Sequence, residues 1–83
     1  MLNGKSLLIT GGTGSLGNAL VKRILKEYPE IKRLVIFSRD EQKQYEMGKK
    51  FPESKYPFLR YFIGDVRDER RVGRAMKKID FVI

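Results

Sequence analysis

The sequence contains no cysteine and no histidine. Without cysteine there is no disulfide framework and no thiolate metal site. Without histidine the commonest metal ligand and the commonest general base are both missing, so no metal site is expected. Long apolar runs are missing too, and those present are far too short to cross a bilayer. Residues 1–5 show no charged region leading into a long apolar one, so no secretion signal is expected. These absences lead to the expectation of a soluble, cytoplasmic protein with no membrane partner. With 83 residues there is room for one small domain.

Positive charge is what the chain has in excess. It carries 18 Lys and Arg against 10 Asp and Glu, a net charge of +8. The cations are spread over several segments instead of forming one block. Lys22, Arg23 and Lys26 fall on the polar side of a first helical segment. Lys49, Lys50 and Lys55 flank a loop, and Arg67, Arg70, Arg71, Arg74, Lys77 and Lys78 go with a last helical segment. Scattered cations without clustered base-stacking aromatics read as solvated faces, so no nucleic-acid partner is expected. The arginine-decorated last helix leaves open attraction of an anionic partner or substrate.

Apolar spacing alternates between two kinds along the chain. Residues 5–10 form a first strand around Leu7-Leu8-Ile9, apolar without alternation, as in a parallel strand covered on both faces. Residues 15–28 form a helix, with Leu16, Leu20 and Ile24 every four residues and Ala19 on the same face. Pro29 stops it. Residues 32–38 hold the second strand, Leu34-Val35-Ile36-Phe37, and residues 40–51 a second helix ended by Pro52. That helix has a thin apolar face of Tyr45, Met47 and Phe51, and Ser38 or Asp40 is placed to cap it, Ser38 with capping-box spacing to Glu41. Residues 58–63 form the third strand. Asp68 caps a third helix carrying Val72, Ala75, Met76 and Ile79, and residues 80–83 open a fourth strand. The order β-α-β-α-β-α-β predicts an α/β, doubly wound parallel sheet with strand order 3-2-1-4 and a ligand crevice at the carboxyl ends of its strands.

Three informative loops fall at those carboxyl ends. The first is glycine-rich and joins the first strand to the first helix. Gly12-x-Gly14-x-x-Gly17 is a dinucleotide fingerprint in the strand–turn–helix context it requires. The overlapping frame Gly11-x-x-Gly14-x-x-Gly17, preceded by Thr10, resembles the form used by extended short-chain dehydrogenases. Glycines there let the backbone approach a phosphate closely, and the free N–H groups of the first helical turn face the anion. A triphosphate loop is excluded, because Asn18 and Ala19 stand where that motif needs Lys and Ser or Thr.

The second loop points to NADP(H). NAD sites place a carboxylate at the end of the second strand to bind the ribose hydroxyls. Here Ser38 and Arg39 stand there, and Lys43 lies about one helical turn further on. Ser and Arg would bind a 2′-phosphate that a carboxylate would repel. In the third loop Asp65 is placed to accept from the adenine amino group, beside Val66. The pairs Tyr28/Lys32 and Tyr45/Lys49 have the Tyr-x-x-x-Lys spacing of short-chain dehydrogenase catalysis. One straddles a helix end and contains Pro29; the other sits on the helix after strand 2, out of reach of a nicotinamide. No catalytic residue is therefore assigned within this chain.

Gly11-Gly12-Thr13-Gly14-Ser15-Leu16-Gly17, Ser38-Arg39-Asp40-Glu41-Gln42-Lys43 and Gly64-Asp65-Val66-Arg67-Asp68 together resemble the soluble UDP-N-acetylglucosamine 4,6-dehydratases. These are extended short-chain dehydrogenases that make sugar nucleotides for flagellin and surface-polysaccharide glycosylation. The resemblance implies a Rossmann-type NADP-binding domain over residues 1–83, continuing beyond Ile83. It implies a pyrophosphate loop of Gly11, Thr13, Gly14, Ser15 and Leu16, with Gly17 completing the fingerprint. It implies 2′-phosphate contacts from Ser38, Arg39 and Lys43 with Asp40 nearby, and adenine contacts from Asp65 and Val66. The implied reaction on the UDP-sugar is oxidation at C4, loss of water across C5 and C6, and hydride return at C6. In the inverting branch C5 is also epimerised. The family's catalytic Tyr, Lys and acid–base residues fall outside these 83 positions. An unpaired apolar edge of the fourth strand would invite association, so the chain is expected to be the N-terminal part of a longer enzyme; a homo-oligomer is also expected. Another NADP-dependent nucleotide-sugar epimerase or reductase, or a non-catalytic NADP(H)-sensing module, fits the same residues.

Overall fold

The apolar runs Leu7-Leu8-Ile9 and Leu34-Val35-Ile36-Phe37 become the two inner strands of a sheet covered on both faces. The computed structural model describes residues 2–11 and 13–83; Gly12, a member of the fingerprint, and Met1 lie outside the described residues. In chain order the elements are β1 (Ser6–Thr10), α1 (Ser15–Glu27), β2 (Arg33–Ser38), α2 (Glu41–Lys50), β3 (Leu59–Ile63), α3 (Glu69–Ala75) and β4 (Phe81–Val82). All strand pairs are parallel and the order is β3-β2-β1-β4, as the sequence predicts. Ser6 pairs with Arg33 and Thr10 with Phe37, while Ser38 pairs with Ile63.

Side chains of a strand alternate between faces, and that divides each apolar run between two cores. Leu7, Ile9, Leu34 and Ile36 pack with Val21 and Ile24 of α1 and Met47 of α2. Leu8, Val35 and Phe37 pack on the other face with Ala75 of α3, flanked by Val72 and Ile79. The result is three layers, with two helices on one side of the sheet and one on the other.

The helix faces differ from the expected ones. On α1 the buried residues are Gly17, Val21 and Ile24, whereas Leu16 is 83% exposed and Ala19 is exposed. The stripe starts at Gly17 because the bare backbone there lets the helix lie against the sheet. On α2 the buried pair is Met47 and Gln44, and Tyr45 is 63% exposed. Gln44 Nε2 donates to the carbonyls of Ser38 (3.2 Å) and Phe62 (3.0 Å), so a polar side chain does the anchoring expected of an aromatic one. Asp40 caps α2, accepting from Lys43 N at 3.0 Å, and Ser38 does not. Asp68 caps α3 as predicted. That helix stops at Ala75 instead of running through Ile79, because Lys78 takes a left-handed conformation (φ 61°) that turns the chain into β4. Asp80 then ties β4 to the start of β1: its Oδ2 accepts from Ser6 N, and its own N–H donates to Ser6 O, both at 2.8 Å.

Candidate functional site

The carboxyl ends of β1, β2 and β3 bring the three loops side by side. Gly11 leaves β1 with φ 61°, a conformation that favours glycine, and its N–H donates to Phe37 O at 2.8 Å. This bond bends the turn across the end of β2. Gly14 caps α1 with φ −79° and ψ −175°, and no side chain occupies the cap. A β-carbon on Gly14 would meet no atom of the described residues within 4 Å. Neither its backbone nor its described neighbours require glycine, and the position leaves open space among them in front of the first turn of α1.

Asn18 fixes the shape of this turn. Its Nδ2 donates to Thr13 O at 3.1 Å and Gly14 O at 2.9 Å, and its Oδ1 is buried with no partner among the described residues. Thr13 Oγ1 lies 3.1 Å from Ser38 Oγ, and Ser38 Oγ also accepts from Asp40 N at 3.1 Å. Both residues are buried. Ser38 therefore joins the glycine turn to the start of α2 and turns its hydroxyl inward.

Two hollows flank these loops. One, of about 460 Å³, is lined by Gly11, Ser38, Arg39, Asp40, Asp65 and Val66 among others. The other, of about 410 Å³, lies between α1 and α2 and is lined by Thr13, Gly14, Ser15, Asn18, Lys43 and Lys50 among others. Arg39 and Lys43, predicted to share one phosphate, thus border different hollows. Leu16 stands exposed beside the turn, and Gly17 is buried beneath it.

Charge in the first hollow centres on Asp65. Arg67 grips its carboxylate through the backbone N (2.9 Å) and Nε (3.1 Å) on Oδ1, and through Nη2 (2.8 Å) on Oδ2. Arg39 Nη1 stands 3.5 Å from Oδ2. The Arg67 hydrogen bonds, aided by the charges of Arg67 and Arg39, hold the Asp65 carboxyl well below the usual carboxylate range. Phe37 also lines the hollow; behind it, its ring stacks on Phe62 at 5.7 Å, and the Arg71 guanidinium lies 4.2 Å from the Phe62 ring centre. The sequence places Arg67 in the Gly64–Asp68 motif and with the last helix but gives it no partner, and it singles out neither Gln44 nor a positive role for Asn18. The one available signal was the Asp-x-Arg spacing of Asp65 and Arg67, which closes a turn on itself. Tyr45 lies on α2 with Lys49 Nζ 4.7 Å above its ring, a packed surface pair. Among the described residues no group of acidic side chains could hold a metal ion, and no helix is long and apolar enough to cross a membrane.

Parallel strands in the order β3-β2-β1-β4, entered through a glycine turn from β1 into α1, make this a Rossmann-type domain. Comparison with known proteins narrows the class. The chain belongs to the polysaccharide biosynthesis protein family, whose sequence pattern it matches over residues 7–83. It is 52% identical over 83 residues to the UDP-N-acetylglucosamine 4,6-dehydratase (inverting) of Campylobacter jejuni subsp. jejuni serotype O:2, covering 100% of this chain and 24% of that protein. It is 48% identical over 80 residues to the UDP-glucose 4-epimerase of Rickettsia bellii (strain OSU 85-389), covering 94% of this chain and 23% of that protein. The chain thus spans about a quarter of the curated relatives it matches. Among solved structures, Pen from Bacillus thuringiensis superposes with a TM-score of 0.86 at 38% identity, over 98% of this chain and 25% of that one. A 6-phospho-alpha-glucosidase from gut microorganisms, solved with NAD and Mn2+, shares the fold at a TM-score of 0.64 and 24% identity, over 94% of this chain and 18% of that one.

Proposed function

We propose that this chain is the NADP(H)-binding part of a longer nucleotide-sugar dehydratase acting on UDP-N-acetylglucosamine. The observation that carries the cofactor reading is the end of β2, where Ser38 and an exposed Arg39 stand and the NAD-type carboxylate does not. The open space before Gly14 fits a pyrophosphate on the first turn of α1, with Thr13, Ser15 and Leu16 around it. Arg39 would meet the 2′-phosphate from one hollow and Lys43 from the other, with Asp40 nearby; Asp65 and Val66 would flank the adenine. When bound, the cofactor supplies hydride transfer. The residues of this chain bind and orient it.

The substrate reading rests on the 52% identity to a UDP-N-acetylglucosamine 4,6-dehydratase across the whole chain. It includes 4,6-dehydration with possible C5 epimerisation, a role in surface glycan or flagellin glycosylation, a cytoplasmic location and a homo-oligomeric assembly. The 48% identity to a UDP-glucose 4-epimerase supports a second reading, a nucleotide-sugar epimerase using the same cofactor cleft. Product analysis separates the two: a dehydratase releases a 4-keto-6-deoxy sugar, and an epimerase returns an isomer of its substrate.

The cofactor is tested by dissociation constants for NADPH and NADH in the intact protein, before and after Arg39→Ala at fixed salt. Hydrogen bonds to charged groups are worth roughly 1.5–3 kcal/mol net. NADPH should therefore weaken about ten- to a hundredfold, while NADH should barely change. A starting preference for NADH, or equal weakening of both, would make Arg39 an ordinary surface charge.

A further inference from the structure

Asp65 stands between two arginines that come from different parts of the sheet. Arg39 follows β2, and Arg67 belongs to the turn after β3. Their contacts are unequal. Arg67 places its backbone N–H, Nε and Nη2 on the carboxylate at 2.9, 3.1 and 2.8 Å. Arg39 approaches one oxygen at 3.5 Å and makes no hydrogen bond to it. The fork of Arg67 matches the carboxylate in both charge and shape. Within this trio two arginines face one aspartate, an excess of one positive charge, and the weaker contact places it on Arg39; Asp40, which also lines the hollow, turns one carboxylate oxygen to Lys43 N as the cap of α2.

We propose that Arg67 sets the cofactor preference of this cleft without touching the 2′-phosphate, by neutralising Asp65 and so leaving the charge of Arg39 available. The proposal rests on the NADP(H) reading above and makes Arg67 a positioning residue. If Arg67 is removed, Asp65 keeps Arg39 as its one remaining ion-pair partner among the described residues. The net charge of the trio falls to zero, and the freed carboxylate both holds Arg39 and repels a phosphate. NADH has no 2′-phosphate and is largely indifferent to that change. The adenine is common to both cofactors, so any loss at that end cancels from the ratio of their affinities. Removing the Asp65 charge together with Arg67 brings the net charge back to its starting value.

The test is the ratio of NADPH to NADH dissociation constants, read by fluorescence titration of the intact protein at low salt. The variants are Arg67→Ala, Arg67→Lys, Asp65→Asn, the Arg67→Ala/Asp65→Asn double variant, and Arg39→Ala as reference. Exposed charge pairs contribute up to about 1 kcal/mol, so Arg67→Ala should reduce the preference for NADPH about three- to fivefold. The double variant should restore it, Asp65→Asn alone should raise it, and Arg67→Lys should retain most of it. The loss in Arg67→Ala should shrink as salt is added. Because a ratio is read, a partly unfolded sample does not blur the outcome. Equal weakening of both cofactors by Arg67→Ala, or failure of Asp65→Asn to restore the ratio, would leave Arg67 with a purely structural part in the turn. If Arg39→Ala leaves the ratio unchanged, the NADP(H) reading itself fails and this proposal with it.

Discussion

A β-carbon placed on Gly64 would lie 2.9 Å from Cζ of Phe37 and 3.1 Å from its Cε2. The ring cannot easily yield, because Phe37 is a buried residue of β2 stacked on Phe62. The third neighbour, Arg71 Cβ at 3.3 Å, closes the remaining side. The glycine after β3 is thus required by packing across the sheet, and its φ is not in the left-handed region.

Gly64→Ala should therefore lower stability by about 1–3 kcal/mol, the usual range for overpacking. Phe37→Leu alone should also destabilise, through the cavity it leaves. Together the two changes should cost less than their sum. Urea denaturation midpoints of the four proteins measure this coupling. Strict additivity would mean that the ring gives way without strain.

Gly14 behaves in the opposite way. Its backbone is extended and its described surroundings are open, so Gly14→Val should lower unfolding free energy only by the cost of a poorer N-cap residue, about 1 kcal/mol. The added side chain would fill the space proposed for the pyrophosphate, and NADPH should no longer raise the melting temperature. Thermal melts of both proteins with and without NADPH check this. A large loss of stability without ligand would mean that the chain itself needs glycine at this position.

Tyr61 supplies a pH-dependent prediction. Its hydroxyl donates to Phe51 O at 2.8 Å, at the end of α2. Burial, aided by the charge of Glu53, pushes its pKa from 10.0 up to about 12. The folded state therefore favours the neutral phenol. The resulting stability is fully present below about pH 10 and declines as pH rises toward 12. Tyr61→Phe should cost about 0.5–1.5 kcal/mol at neutral pH for the lost hydrogen bond, and the gap to the parent protein should narrow above pH 10. Denaturation at pH 7 and pH 11 measures the gap. An unchanged gap would place the Tyr61 hydroxyl in solvent.

The strands are legible because Leu7-Leu8-Ile9 and Leu34-Val35-Ile36-Phe37 are short uninterrupted apolar runs, too short for a buried helix and suited to a strand covered on both faces. The strand order followed from the alternation of elements. On α1 the expected Leu20 and Ile24 do face the core, but Leu16 and Ala19 do not, because the packed face begins at Gly17, which has no side chain for apolar spacing to register. Arg39 and Asp65 stood out as charges at strand ends. Gln44, Asn18 and the inward turn of Ser38 did not, because their partners are mainly backbone carbonyls and distant hydroxyls that meet only in the folded sheet. Periodicity reports which residues avoid water. It carries no information about which polar groups close one another's hydrogen bonds.

The place of β4 has a kinetic consequence. The contact between Thr13 and Ser38 closes a span of 25 positions, whereas Ser6 and Asp80 are 74 positions apart. Loop-closure entropy rises with span, so β1, β2 and β3 with their helices have reason to assemble before β4 arrives. When β4 docks it adds only two paired residues, a small gain for the longest closure in the sheet. Of the four strands described, β4 would therefore join β1 last, after β2 has already paired with it.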